Sequence, residues 1–283
     1  MSKVSNKKTT WHLVNIKARR NQTTEHYVQA IEKLYHDDPL ICFPRGGKSG
    51  SLKHVSFSEI KDETGNPNWI QIELLSYTIV DPEAFYSKSR REDVIIDNWN
   101  EDIVANKKET VLYFIPSVHT LAVRCNSVIS LNNVVFYLSK ALNIIEPEAF
   151  DVDVIKERDI LDKILNAYAV TQIYANISYS NHGHSDGFEE AFDNKLREMG
   201  ANRIEFTATG SKRNPLNNDK DGMLQSIINL SEHNGYVRAT IQSAEDSKLE
   251  KIDSNEHPRI LVIPQIVNNI CTTIYNTIKG IFN

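Results

Sequence analysis

Cysteine is scarce in this chain of 283 residues: Cys42, Cys125 and Cys271 are far apart and odd in number. That excludes a disulfide framework, and no Cys-x-x-Cys spacing offers a zinc or redox motif. A reducing, cytoplasmic setting is the expectation. Cys125 and Cys271 read as small apolar residues inside elements. No stretch approaches the roughly 18 consecutive apolar residues of a membrane span. The basic segment Met1–Lys8 leads into no apolar run, so it reads as a short disordered tail rather than a signal peptide. Tandem repeats and low-complexity tracts are also lacking. So is a P-loop. Gly47-Lys48-Ser49 carries part of one, but the full pattern needs glycine where Cys42 stands and a helix directly afterwards. Instead, Val55 and Phe57 alternate with His54 and Ser56, a strand pattern. The segment from Pro44 to Ser51 therefore reads as a basic hairpin tip, and no cofactor is implied.

What is present is an ordinary globular composition, 40% apolar and 24% charged, long enough for one large domain or two small ones. The net charge of −5 is unevenly spread. Residues 1–54 hold ten Lys/Arg against four Asp/Glu, a balance of +6, which leaves −11 for the rest. A basic N-terminal part on an acidic protein can contact phosphates or an acidic partner. Arg19, Arg20, Arg45, Lys48 and Lys53 are the candidate nucleic-acid contacts, the first two at a strand exit and the next two on flexible glycines. Arg90 and Arg91 are further candidates.

Periodicity predicts strands at Trp11–Ile16, Leu52–Phe57, Trp69–Tyr77, Thr110–Pro116 and Thr120–Cys125, with helices from Thr23 or Thr24 to Tyr35 and from Leu131 to Leu142. Residues 87–106 read as a loop. The signal restarts at Phe150–Ile155 and continues as helix Asp159–Ala167, a strand from Gln172, helix Ser185–Met199, strand Arg203–Thr209, helix Gly222–His233 and strand Tyr236–Ile241. Asn234-Gly235 reads as a helix stop with a left-handed residue. The last helix, about eighteen residues after Pro264, carries a stripe of Val267, Ile270, Ile274, Ile278 and Ile281. The reading is an α+β protein with helices on largely antiparallel sheets, in two subdomains, 1–145 and 146–283, with the stripe packed on its own domain or on a second copy.

The strand from Gln172 ends in the one cluster with metal-ligand spacing. Ile173, Ala175, Ile177 and Tyr179 alternate with Gln172, Asn176, Ser178 and Ser180, and the strand runs into Asn181-His182-Gly183-His184-Ser185-Asp186-Gly187. This resembles the His-x-His-x-Asp-His opening of metallo-β-lactamase-like hydrolases, with Gly187 in place of the last histidine. Three ligands and an open position make a catalytic zinc site. His233, Asp246, Asp253 and His257 are the remaining donors, and no motif fixes them. The turn also has the Asn, Gly, Ser and Asp composition of plain turn chemistry, with Ser185 or Asp186 as a helix cap. The expectation is that His182 and His184 bind no metal.

Several pieces in order along the chain resemble a bacterial domain of unknown function, family 4747. They are Val14-Asn15-Ile16, Phe114-Ile115-Pro116-Ser117-Val118-His119-Thr120-Leu121, Asp162-Lys163-Ile164-Leu165, Asn234-Gly235-Tyr236-Val237-Arg238-Ala239 and His257-Pro258. The resemblance implies no established catalytic residues and an occurrence in mobile or defence-related gene neighbourhoods.

Three functions stand as expectations. The first is a non-catalytic module of bacterial antiviral defence that binds nucleic acid, or a protein partner from the same operon, as a sensor or regulator. The second is a metal-dependent hydrolase or nuclease using His182, His184 and Asp186. The third is a structural subunit, or a homo-oligomer, docking through the terminal helix. No membrane partner is expected.

Overall fold

The computed structural model describes residues 8–96, 100, 102–125, 127–178, 187–219, 222–264 and 269–282, and the backbone alone at 187–190 and 193. The first alternating segment forms β1 (Lys8–Ala18). Thr23 then opens α1 (Thr24–Asp37) by accepting from the His26 amide at 3.3 Å, the cap role its hydroxyl suits. The helix stops where Asp38 turns left-handed ahead of Pro39. β2 (Ile41–Cys42) and β3 (Ser49–Phe57) pair around Gly46 and Gly47, both at positive φ, which is the hairpin tip the sequence indicates. β4 (Ile70–Ile79) comes next. The stretch read as a loop contains a small separate hairpin, β5 (Phe85–Ser87) with β6 (Glu92–Val94). β7 (Val104–Ile115) turns through a single 3₁₀ turn at Pro116–Val118 into β8 (Thr120–Arg124). α2 (Leu131–Ile145), capped by Ser130, leads to β9 (Phe150–Val154).

The second half supplies α3 (Arg158–Leu165), β10 (Ala169–Ser178), α4 (Gly187–Met199), β11 (Arg203–Thr209), α5 (Met223–Asn234), β12 (Gly235–Gln242), β13 (Leu249–Asp253), β14 (Ile260–Pro264) and α6 (Ile270–Phe282). The protein is a mixed α+β fold with antiparallel sheets and a C-terminal helix, as expected.

The eight-stranded first sheet runs β14-β1-β8-β7-β4-β3-β2, with β9 also paired to β1. One face carries Val14, Ile16, Ile72, Leu74, Leu112 and Phe114 against Tyr27 and Leu34 of α1 and Val134, Tyr137 and Leu138 of α2. Each such side chain contributes about 1.5–3 kcal/mol by leaving water. On the other face Trp11, Leu13, Tyr113 and Ile115 pack against Ile274 and Ile278 of α6, which are fully buried. The helical stripe therefore packs on its own chain. Val267 lies outside the described residues, and the helix spans 270–282 rather than eighteen residues. The sheets divide the chain differently from a cut at 145/146. β9, β14 and α6 all return to β1 or its neighbours, so the segment from α3 to β13 is an insertion between strands of the first sheet.

The second sheet has the order β11-β10-β12-β13, antiparallel throughout. Among the described residues, helices cover one face only. There Val170, Ile173, Ala175, Ile177, Val237 and Ile241 meet Leu161 and Ile164 of α3 and Leu224, Ile227 and Ile228 of α5. α5 passes into β12 without a loop, so Asn234-Gly235 is a helix stop as read. Gly235 is not in the left-handed helical region, however: it has φ 152° and ψ −136°, and an added Cβ would overlap the Asn176 carbonyl oxygen. Only glycine lets β12 start this close to β10.

Candidate functional site

The second sheet's uncovered face is set by strand parity. Side chains alternate across a strand, so Gln172, Tyr174 and Asn176 of β10 point away from the helices, as do Tyr236, Arg238 and Thr240 of β12. The register places Tyr174 opposite Arg238 and Asn176 opposite Tyr236. The two tyrosines are thus diagonal neighbours, which aromatic side chains can bridge. Their ring centroids are 5.9 Å apart at an interplanar angle of 44°. The Arg238 guanidinium lies over both, 5.1 Å from the Tyr236 centroid and 5.9 Å from that of Tyr174. Arg238 Nε donates to Asp253 Oδ2 at 2.7 Å, and this hydrogen bond, with the carboxylate charge, holds the guanidinium above its ordinary pKa. The Tyr174 hydroxyl is likewise raised, first by its hydrogen bond with Tyr236 and then by Glu205. Beside the rings runs a groove of about 460 Å³ lined by Gln172, Tyr174, Arg238, Thr240, Lys251 and Asp253 among others.

A second polar cluster joins the two sheets. Along β1 the face that meets α6 changes character after Leu13: Asn15 and Lys17 are polar yet almost fully buried. Asn15 Nδ2 donates to the His233 carbonyl at 3.1 Å. Lys17 Nζ, in a side chain only 1% exposed, donates to Asn234 Oδ1 at 2.9 Å and Ser178 Oγ at 3.2 Å. Ser178 Oγ also lies 3.2 Å from both Asp153 Oδ2 and the Asn234 carbonyl. Serine and lysine are the residue types of one class of hydrolytic pair. Here the hydroxyl is fully buried and bonded on every side, so no substrate carbonyl reaches it. The cluster is a joint: it satisfies buried donors and acceptors where β1, β10 and α5 meet.

Near this joint Glu232 takes Arg158 at 3.1 Å and Arg259 at 3.4 Å. Arg203 pairs with Asp153 at 2.9 Å, whose charge and hydrogen bond outweigh burial and raise the guanidinium. Lys156 is buried, which lowers its ammonium to about 8 despite Asp153 and Asp253. His233 is lowered by burial.

The five basic residues indicated by the sequence occupy three separate places. Arg19 forms a two-pronged pair with Asp151, at 2.9 and 3.0 Å, and donates to the Glu148 carbonyl. With Arg20 it lines a cleft of about 500 Å³ that also meets Glu146, Glu148 and Arg197. Both residues come just after the end of β1, beyond Asn15, which shares a row with Thr120 and Ile115. Arg45 and Lys48 stand by Ser49 and Tyr77 at the other end of the strands. Between the two places lie four strand spacings of ~4.8 Å and about 25 Å along β3. Lys53 lies midway along β3, near the sheet's edge, paired with Glu73 at 3.0 Å and Glu109 at 3.2 Å. Antiparallel pairing sends the two chain ends in opposite directions, so they do not converge on one short backbone. Arg90 pairs with Glu92 in the β5–β6 hairpin.

His182, His184, Asp186 and Tyr179 lie outside the described residues. Of the other donors, His233 sits at the joint and Asp253 bonds Arg238 on the open face. Among the described residues no three His, Cys, Asp or Glu gather as a metal site, and no helix is long and apolar enough to cross a membrane.

Sequence reading missed Tyr174, Tyr236 and Arg238 as site residues. The signal was a ring in the polar row of β10, between Gln172 and Asn176, where a solvated face carries polar residues. Its partner on β12 becomes visible only with the register.

A family model described as Domain of unknown function (DUF4747) matches residues 7–280, nearly the whole chain. None of the curated proteins matches it.

Proposed function

The chain belongs to the DUF4747 family, and from that premise we propose a non-catalytic nucleic-acid-binding module, acting as a sensor or regulator in bacterial antiviral defence. The observation that carries the binding is the open sheet face with two tyrosine rings under an arginine. Every nucleobase has a π-face, and stacking one on an aromatic side chain contributes about 1–3 kcal/mol. Arginine adds cation–π attraction and hydrogen bonds to phosphate or base edges. The role in defence rests on the gene neighbourhoods that the family resemblance implies. Arg20, Arg45 and Lys48 enter as outlying phosphate contacts for a longer strand.

The test is direct binding of labelled oligonucleotides at low salt. The expected result is a Kd in the micromolar range, weakened at least about tenfold when Tyr174 and Tyr236 are both replaced by alanine. No binding to any nucleic acid at low salt sinks the reading and leaves the tyrosine–arginine patch to a protein partner, whose hot spots favour the same residue types.

A further inference from the structure

We infer that the open face of the second sheet takes single-stranded nucleic acid, with successive unpaired bases stacked on Tyr174 and Tyr236 and little dependence on charge. This deepens, and rests on, the reading of that face as a nucleic-acid surface.

Two observations select the single strand. The first is the shape of the face. Tyr174 and Tyr236 rise from the middle strands of a four-stranded sheet, not from a helix or a protruding ribbon that could enter a groove. In a duplex both faces of each base are covered by its neighbours, and the rings have nothing to stack on. Unpaired bases can splay onto them, and the guanidinium plane of Arg238 offers a further stacking surface. Asp253 fixes that plane over the rings, so little side-chain freedom remains to be lost on binding. The rings are 5.9 Å apart in centroid and belong to adjacent strands, so each can hold a different base of a chain that crosses the sheet.

The second observation is the charge on the face. Arg238 is matched by Asp253, and Arg203 at the joint end by Asp153. Of the cations on this face, Lys251, on the rim of the groove, is the one in no ion pair among the described residues, and Glu256 lines the same groove. Double-stranded nucleic acid is bound largely through many phosphate contacts, and this face supplies about one. What it supplies instead are neutral hydrogen-bonding groups beside the rings, Gln172 and Thr240, that suit exposed base edges.

Anisotropy titrations of the full chain with labelled oligomers of about 10 nucleotides test this, using single-stranded RNA, single-stranded DNA and a duplex of each. Single strands are expected to bind at least about tenfold more tightly than duplexes, with log K falling against log salt at a slope of about −1. Tyr174→Leu with Tyr236→Leu, which keeps apolar volume but removes the rings, is expected to weaken single-strand binding about 30-fold or more. Tyr174→Phe with Tyr236→Phe is expected to retain it, with unchanged Tm in both variants. A preference for RNA or for DNA identifies the source, and either supports the inference. Duplex binding equal to or tighter than single-strand binding overturns the inference while the nucleic-acid reading stands. So does single-strand binding that survives loss of both rings. Binding to none of the four oligomers removes the nucleic-acid reading itself.

Discussion

Each sheet leaves part of one face uncovered by helices, and the two are furnished differently. Where α6 stops covering the first sheet, Lys53 and Lys107 are matched by Glu73 and Glu109 in water. Where no helix among the described residues covers the second, two tyrosine rings lie beneath Arg238. Exposed ion pairs contribute little to folding and keep a bare face soluble. A ring pair left half-exposed retains apolar area whose removal from water is worth roughly 25 cal/mol per Å². Folding leaves that area in water, and a stacked ligand can remove it. Counting cations in the first 54 residues pointed to the first sheet. The difference between the two bare faces shifts attention to the second, because Lys53, the candidate on the first sheet's bare face, is already paired with carboxylates.

The contrast between the faces depends on the seam that creates the second one, and the seam can be attacked directly. Gly235→Ala places a methyl group against the Asn176 carbonyl and has to force β12 away from β10. A loss of about 4 kcal/mol or more is expected by urea denaturation. Wild-type stability would show that this contact does not set the register. Next in size is Lys17→Ala, which strips the buried joint of a donor shared by Ser178 and Asn234. About 3 kcal/mol should be lost. A far smaller loss would mean that the two sheets are held together mainly by apolar contact.

A smaller effect is expected from acid. His119, stacked on Tyr27 with centroids 4.3 Å apart, titrates at about 4 instead of 6.5 because burial disfavours its charged form. Between those values the unfolded chain binds a proton that the folded chain does not. Stability is therefore complete above about 6.5 and falls as the pH drops towards 4. The loss is about 2 kcal/mol after allowance for the ring's partial exposure. His119→Asn tolerates the left-handed backbone at φ 54° and should flatten that part of the pH–stability curve. An unchanged curve assigns the loss to other groups, His233 first.

The mildest substitutions separate the two faces most cleanly. Lys53→Gln and Tyr174→Leu should both leave Tm unchanged, since each side chain faces water. They should then differ in oligonucleotide binding, Lys53→Gln retaining it and Tyr174→Leu losing about tenfold. Equal effects on binding would erase the distinction between the faces.

Much of the fold was legible in the sequence where periodicity and caps agree. β1, α1, β4, β7, β8, β10, β11 and α5 fall where alternation, Thr23 and Asn234-Gly235 put them. β13 and β14 were not found. Leu249-Glu250-Lys251 is charged and exposed, while in β14 the exposed Ile260 and Val262 are as apolar as the buried Leu261 and Ile263, so no polar alternation marks either strand. The hairpin of β5 and β6 was hidden because each strand is three residues long and largely exposed. The joint was hidden more deeply. Lys17 reads as one more surface cation until the fold surrounds it with Ser178 and Asn234, 161 and 217 residues away in sequence.

Local elements, the antiparallel α+β class and family membership all lie within reach of the chain's residue order, because each rests on apolar and polar patterning along short stretches. Three outcomes needed the folded molecule: which strands share a sheet, which face of each sheet stays bare, and which charges neutralise one another. They depend on pairings between residues far apart in the chain. Strand parity fixes that Tyr174 and Tyr236 point to the same side as their neighbours Gln172 and Arg238. That both rings then meet, 5.9 Å apart under one guanidinium, is a consequence of the register at Gly235.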